Sequence, residues 1–63
     1  MNLQPLLNKK VKIILFDKKL KRDTTYTGEI IEITSDSFTM IDKYNKTIVI
    51  SKKIFEIKRI DEL

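Results

Sequence analysis

Apolar and polar residues alternate along most of the chain with the period of two that marks a strand, in short runs broken by polar clusters. Val11, Ile13 and Leu15 alternate with Lys12, Ile14 and Phe16, which predicts a first strand over Val11 to Phe16 with both faces partly apolar. Asp17 to Asp23 is too polar for a core strand and reads as a loop or the frayed end of a hairpin. A second strand is predicted from Thr24 to Ile33, a turn at Ser35-Asp36-Ser37, and a third strand over Phe38 to Ile41. Lys43-Tyr44-Asn45-Lys46 makes the next turn and Thr47 to Ile50 the fourth strand. Ser51-Lys52-Lys53 reverses the chain, in the manner of a single 3₁₀ turn, ahead of a fifth strand over Ile54 to Ile60. At the start, Leu3 to Asn8 suits one or two helical turns, because Pro5 is tolerated where first-turn N–H groups lack acceptors anyway. Residues 1–8 are thus expected as a short helix or arm over one mouth of the fold, and residues 61–63 as a loose tail.

One residue disturbs the second strand. Gly28 is the only glycine in the chain, inside the run Tyr26-Thr27-Gly28-Glu29-Ile30-Ile31-Glu32-Ile33. A glycine inside a strand marks a sharp bend, a bulge or a close backbone approach. Five short, β-branched-rich strands with one such bend predict an all-β domain over residues 1–63, a small, strongly bent barrel of the SH3-like or OB-like kind.

Composition removes several classes of function. At 63 residues the chain is near the lower limit for burying enough apolar surface to fold alone. It has no cysteine and no histidine, so no disulfide, no Cys/His zinc site and neither of those catalytic side chains is available. Ser35, Ser37 and Ser51 have no histidine base, no Gly-rich phosphate loop is present, and Asp36 and Asp42 alone are too few ligands for a cation. Glu29 and Glu32 fall on opposite faces of an ideal strand, which suits solvated carboxylates rather than a catalytic pair. No enzyme activity, metal or cofactor is expected. The longest apolar run, Ile13-Ile14-Leu15-Phe16, falls far short of the ~20 residues that span a bilayer, and no basic segment precedes an apolar one at the N-terminus. A cytoplasmic protein that starts at or near Met1 and has no membrane partner is therefore expected.

Charge supplies the functional clue. Lys9, Lys10, Lys12, Lys18, Lys19, Lys21 and Arg22 face a single acid, Asp17, whereas Asp23 to Asp42 holds five acids and no base. The net charge of +4 understates this segregation. Clustered cations attract phosphates by releasing counterions and do so without reading bases. Lys52-Lys53 and Lys58-Arg59 form a second cluster that joins the first if the first and last strands meet. Among the aromatics, Phe38 and Phe55 suit the core, while Tyr44, in a turn between lysines, is the one expected to be exposed for stacking on an unpaired base. The candidate nucleic-acid contacts are therefore Lys9, Lys10, Lys18, Lys19, Lys21, Arg22, Tyr44, Lys52 and Lys53, with Gly28 structural.

The segments Val11 to Phe16, Gly28 to Met40, Thr47 to Ile50 and Ile54 to Ile60 together resemble the Sm-like fold. Two branches are most similar: the C-terminal Sm-like domain of the bacterial ribosome maturation factor, through the spacing from glycine to the next strand, and the Hfq RNA chaperone, through its leading helix and strand order. The resemblance implies RNA or the ribosome as partner and a ring in which the fourth strand of one subunit pairs with the fifth of the next. Where that family carries base-binding residues this chain has Thr34, Phe38 and Ile50-Ser51-Lys52, so the resemblance extends to the fold and not to the uridine pocket. The leading expectation is a non-catalytic RNA-binding module. The alternatives are a protein-interaction or self-assembling barrel, favoured by a surplus of apolar residues (Ile14, Phe16, Ile31, Ile33, Ile48, Ile50), and a small basic DNA-binding protein.

Overall fold

The computed structural model describes residues 2–63; Met1, the first residue of the expected arm, lies outside them. A 3₁₀ turn, Gln4–Leu6, leads into five strands: β1 Lys10–Asp17, β2 Arg22–Ile33, β3 Ser37–Asp42, β4 Thr47–Ser51 and β5 Phe55–Glu62. They form one antiparallel sheet in the order β4-β3-β2-β1-β5. The protein is all-β, as the alternation predicts.

Burial follows the alternation. On β1, which is paired on both sides, Val11, Ile13 and Leu15 are fully buried. They join Ile30, Phe38, Met40, Ile50 and Leu3 in one cluster, against which Tyr26, Ile33, Ile48, Phe55, Ile57 and Ile60 pack. No α-helix or second sheet covers this face among the described residues, so the sheet curves over its own apolar side. The two irregularities in register lie at Ile31 of β2, opposite β3, and at Lys58 of β5, opposite β1. Each adds one unpaired residue, which bends and twists a strand locally.

Gly28 makes the close approach, not the bulge. Its φ is not positive, so conformational freedom is not what the position requires. A β-carbon there would sit 2.1 Å from the carbonyl oxygen of Ile41 and 2.8 Å from the α-carbon of Asp42. β2 and β3 meet backbone to backbone at this point, where Gly28 pairs with Asp42 and the Lys43 N–H donates to the Thr27 carbonyl at 3.0 Å.

Several expectations need correcting. The helical arm over residues 3–8 is a single three-residue 3₁₀ turn, because the chain is already drawn to the sheet at Asn8, whose N–H donates to the Ile30 carbonyl at 2.6 Å. Of the two readings of segment 17–23, the structure has the hairpin end and not the loop, and that end is paired, not frayed. Asp17 pairs with Arg22 and Phe16 with Asp23, which leaves a turn of only four residues. The tail is not loose either: Asp61 and Glu62 pair with Lys12 and Val11, and the Leu63 N–H donates to the Lys10 carbonyl at 2.9 Å. Unpaired β1 backbone beside a buried Val11 would otherwise lack partners. Ile33, Ile48 and Ile50 are not surplus, since the curved sheet takes all three onto its core. Among the described residues the sheet is not closed by hydrogen bonds, as a complete barrel needs: β4 and β5 are the two edges.

Candidate nucleic-acid interface

The turns position the charged side chains. After β1 the chain reverses over residues 18–21, and Asp17 controls the reversal. Its side chain is almost wholly buried, its Oδ1 accepts the N–H groups of Lys19 (2.8 Å) and Leu20 (3.0 Å), and its carbonyl accepts the Lys21 N–H (2.8 Å). This is an Asx-type turn, in which a short carboxylate substitutes for backbone acceptors. Asp42 does the same after β3, where its Oδ1 accepts the N–H groups of Tyr44 and Lys46, both at 2.9 Å. Asp17→Ala removes the acceptor of two part-buried N–H groups and is expected to cost about 1–2 kcal/mol, most of it recovered by Asp17→Asn, which keeps an acceptor oxygen. Urea midpoints measure both; an alanine variant as stable as the parent would contradict the role given to this carboxylate.

The turn between β4 and β5 lies beside the first. The Lys18 N–H donates to the Ile54 carbonyl at 2.9 Å, and Asp17 pairs with Phe55. Lys18, Lys19, Lys21 and Arg22 from one turn and Lys53 from the other are thus carried to one end of the sheet. All five are exposed, and none is among the ion pairs of the described residues. Leu20, 60% exposed, and Ile54 lie among them.

The other predicted contacts lie elsewhere. Lys9 and Lys10 are at the opposite end of β1, roughly 23 Å away at the rise of an extended strand. Lys9 is paired with Glu62 at 3.6 Å, and Lys10 lies opposite Glu29. Tyr44 is exposed, as expected, but it belongs to that far end, with the Lys43 ammonium 5.3 Å from its ring centroid. Lys52 shares the second turn with Lys53 but is engaged elsewhere: its N–H donates to the Asp36 carbonyl at 2.8 Å and its Nζ to the Thr34 carbonyl at 3.3 Å. The far end also holds a cleft of about 470 Å³ where Lys10 and Lys43 face Glu29 and Asp42.

No family model, characterised protein or solved structure matches this chain. Charge and geometry therefore carry the functional reading. The open sheet face has balanced charge, with Lys12 opposite Asp61, Arg59 bound to Asp61 at 2.9 Å and Lys58 bound to Asp23 at 3.1 Å. Such exposed pairs add little stability, but they cancel the field that a polyanion would feel. The turn end keeps its field. Sequence reasoning missed Leu20 and Ile54 at this end, and it missed Asp17 as the group that orders the turn. The signal available was an aspartate just before a lysine-rich turn, the usual place for an Asx acceptor.

Lys21 adds a separate observation. Among the described residues three other than glycine have positive φ, and two of them are asparagines, Asn8 and Asn45; the third is Lys21, at φ 57°. Only glycine or asparagine visits this region without appreciable cost, so a lysine here is held against a backbone preference of about 1 kcal/mol. Lys21→Gly is expected to leave the melting temperature unchanged or raise it, while anion affinity falls severalfold. A clear loss of stability would show that the side chain serves the fold.

Proposed function

We propose that this chain is a non-catalytic RNA-binding module with the architecture of an Sm-like barrel left open between β4 and β5. Its ligand is the phosphate backbone, and its contacts are Lys18, Lys19, Lys21, Arg22 and Lys53. One observation carries the reading: the Lys18–Ile54 hydrogen bond sets two cationic turns side by side, and their cations enter none of the ion pairs of the described residues, whereas Asp23, Asp61 and Glu62 are paired with cations and Asp17 and Asp42 cap turns. The strand order β4-β3-β2-β1-β5 and the curved, self-covered sheet support the barrel. Neither depends on base recognition. Salt titration of binding to a labelled single-stranded RNA tests the proposal: five phosphate contacts give a slope of log affinity on log salt of about −3.5. Binding that is absent at low salt, or insensitive to salt, defeats it.

A second reading, self-assembly through an edge, is favoured by Val49, which is 65% exposed on edge strand β4. An apolar residue on an open edge is where another strand adds. Light scattering after size-exclusion chromatography separates a monomer from a ring and leaves the phosphate site testable in either case.

A further inference from the structure

We infer that the cationic end takes double-helical nucleic acid in preference to a single strand, gripping paired rows of phosphates across a groove. This inference rests on the phosphate-binding reading of the same end and narrows its ligand. Proteins that hold single strands combine a basic groove with exposed rings on which the bases stack, each worth about 1–3 kcal/mol. The cationic end offers no such ring. Tyr44 is the one aromatic residue that is exposed among the described residues, and it stands at the opposite end of β1 beneath its own lysine. Phe55, the ring nearest the two turns, packs against the core. Phe16 is half-buried within β1, paired on both sides with Asp23 and Glu56, and does not stand out as a stacking platform.

What the end does offer suits a helix. Leu20 stands out from a turn locked by Asp17, with cations on either side of it in the chain and Ile54 across from it on the neighbouring turn. A rigid tip with cations flanking an apolar centre matches a surface with two phosphate rows and a groove between them. A flexible single strand has to be ordered on such a tip with no stacking to compensate. The double helix also carries the denser charge, and so releases more counterions per contact, about 0.9 against about 0.7. Over five contacts at ~100 mM salt this difference alone amounts to roughly tenfold in affinity.

The experiment uses fluorescence anisotropy of the whole chain with three labelled probes at ~100 mM salt: an oligouridine that cannot self-pair, the same strand annealed to oligoadenine, and a DNA duplex of equal length. Either duplex binding roughly tenfold more tightly than the single strand, with a steeper salt slope, bears the inference out, and the ranking of the two duplexes identifies RNA or DNA as the source. A single strand bound as tightly as both duplexes, or more tightly, overturns the inference and leaves the phosphate site standing. No binding of any probe at ~50 mM salt overturns both. Leu20→Ala is the second arm, expected to reduce duplex affinity severalfold and to leave single-strand affinity unchanged; equal losses on all probes count against the groove geometry.

Discussion

Gly28→Ala is expected to abolish cooperative folding. The added methyl has nowhere to go, since the ideal β-carbon position lies 2.1 Å from a main-chain oxygen and 2.8 Å from a main-chain carbon of β3. Backbone cannot swing aside as a side-chain tip can, so β2 and β3 must part along their contact. That separation strains the Gly28–Asp42 pairing and the Lys43–Thr27 hydrogen bond, and it opens the core above Met40, which pairs with Ile30 two positions along β2. Overpacking of this kind costs about 1–3 kcal/mol before the hydrogen bonds are counted. A domain of this length has only about 3–5 kcal/mol to lose. Circular dichroism with urea titration is the measurement: the parent should show a sigmoidal transition and the alanine variant a broad, baseline-like drift. A normal midpoint in the variant would mean that the two strands do not meet as the structure has them.

This position also shows where sequence reading succeeds. A lone glycine within an alternating run signals a special backbone site before any fold is known, because no other residue type makes the position conspicuous. The choice among bend, bulge and close approach was beyond the sequence, because it depends on a partner strand about a dozen residues away. The bulges were invisible for a similar reason. Ile31 and Lys58 are ordinary strand residues, and only the register of both neighbours exposes the extra one. Strand existence was legible throughout, since burial on one face of a sheet imposes period two on the sequence. Strand ends were not, and every error there but one was an underestimate: the fifth strand starts at Phe55 and not Ile54, whereas polar residues such as Arg22, Asp23, Asp61 and Glu62 look like loop but pair at the ends of longer strands, where their side chains remain in solvent.

The candidate site was half legible for a geometrical reason. Cations that run from Lys9 to Arg22 are contiguous in sequence, but an eight-residue strand lies between the two halves of the run. Extended chain separates charges faster than any other conformation, so β1 carries Lys9 and Lys10 to one end of the sheet and Lys18 to the other. Conversely, Lys53 joins Lys18 across 35 positions of sequence through a turn-to-turn hydrogen bond that no local pattern encodes. Charge segregation along a chain predicts a surface only within a turn. Beyond that the topology redistributes it.

The largest functional effect is expected when that redistribution is tested directly. Replacing Lys18, Lys19, Lys21 and Arg22 together with glutamine removes four of the five contacts proposed for the turn end, and the same exchange at Lys9, Lys10, Lys43 and Lys46 removes four charges from the far end. Both variants change net charge by the same amount. If binding followed net charge alone, the two would lose affinity equally. At ~100 mM salt, however, interactions fade over about 10 Å, less than half the length of β1, so charges at the far end contribute little to a polyanion docked at the turns. Counterion release assigns each lost contact roughly a fivefold to eightfold change at this salt. The turn variant should therefore bind about 10³-fold more weakly, with a salt slope shallower by about 3, while the far-end variant stays within severalfold of the parent. Every substituted side chain is exposed, and the Asx acceptors Asp17 and Asp42 are untouched, so unfolding midpoints should remain close together. Equal losses in the two variants would remove the turn end as a distinct site, and a loss confined to the far end would move the site to the cleft beside Lys10 and Lys43.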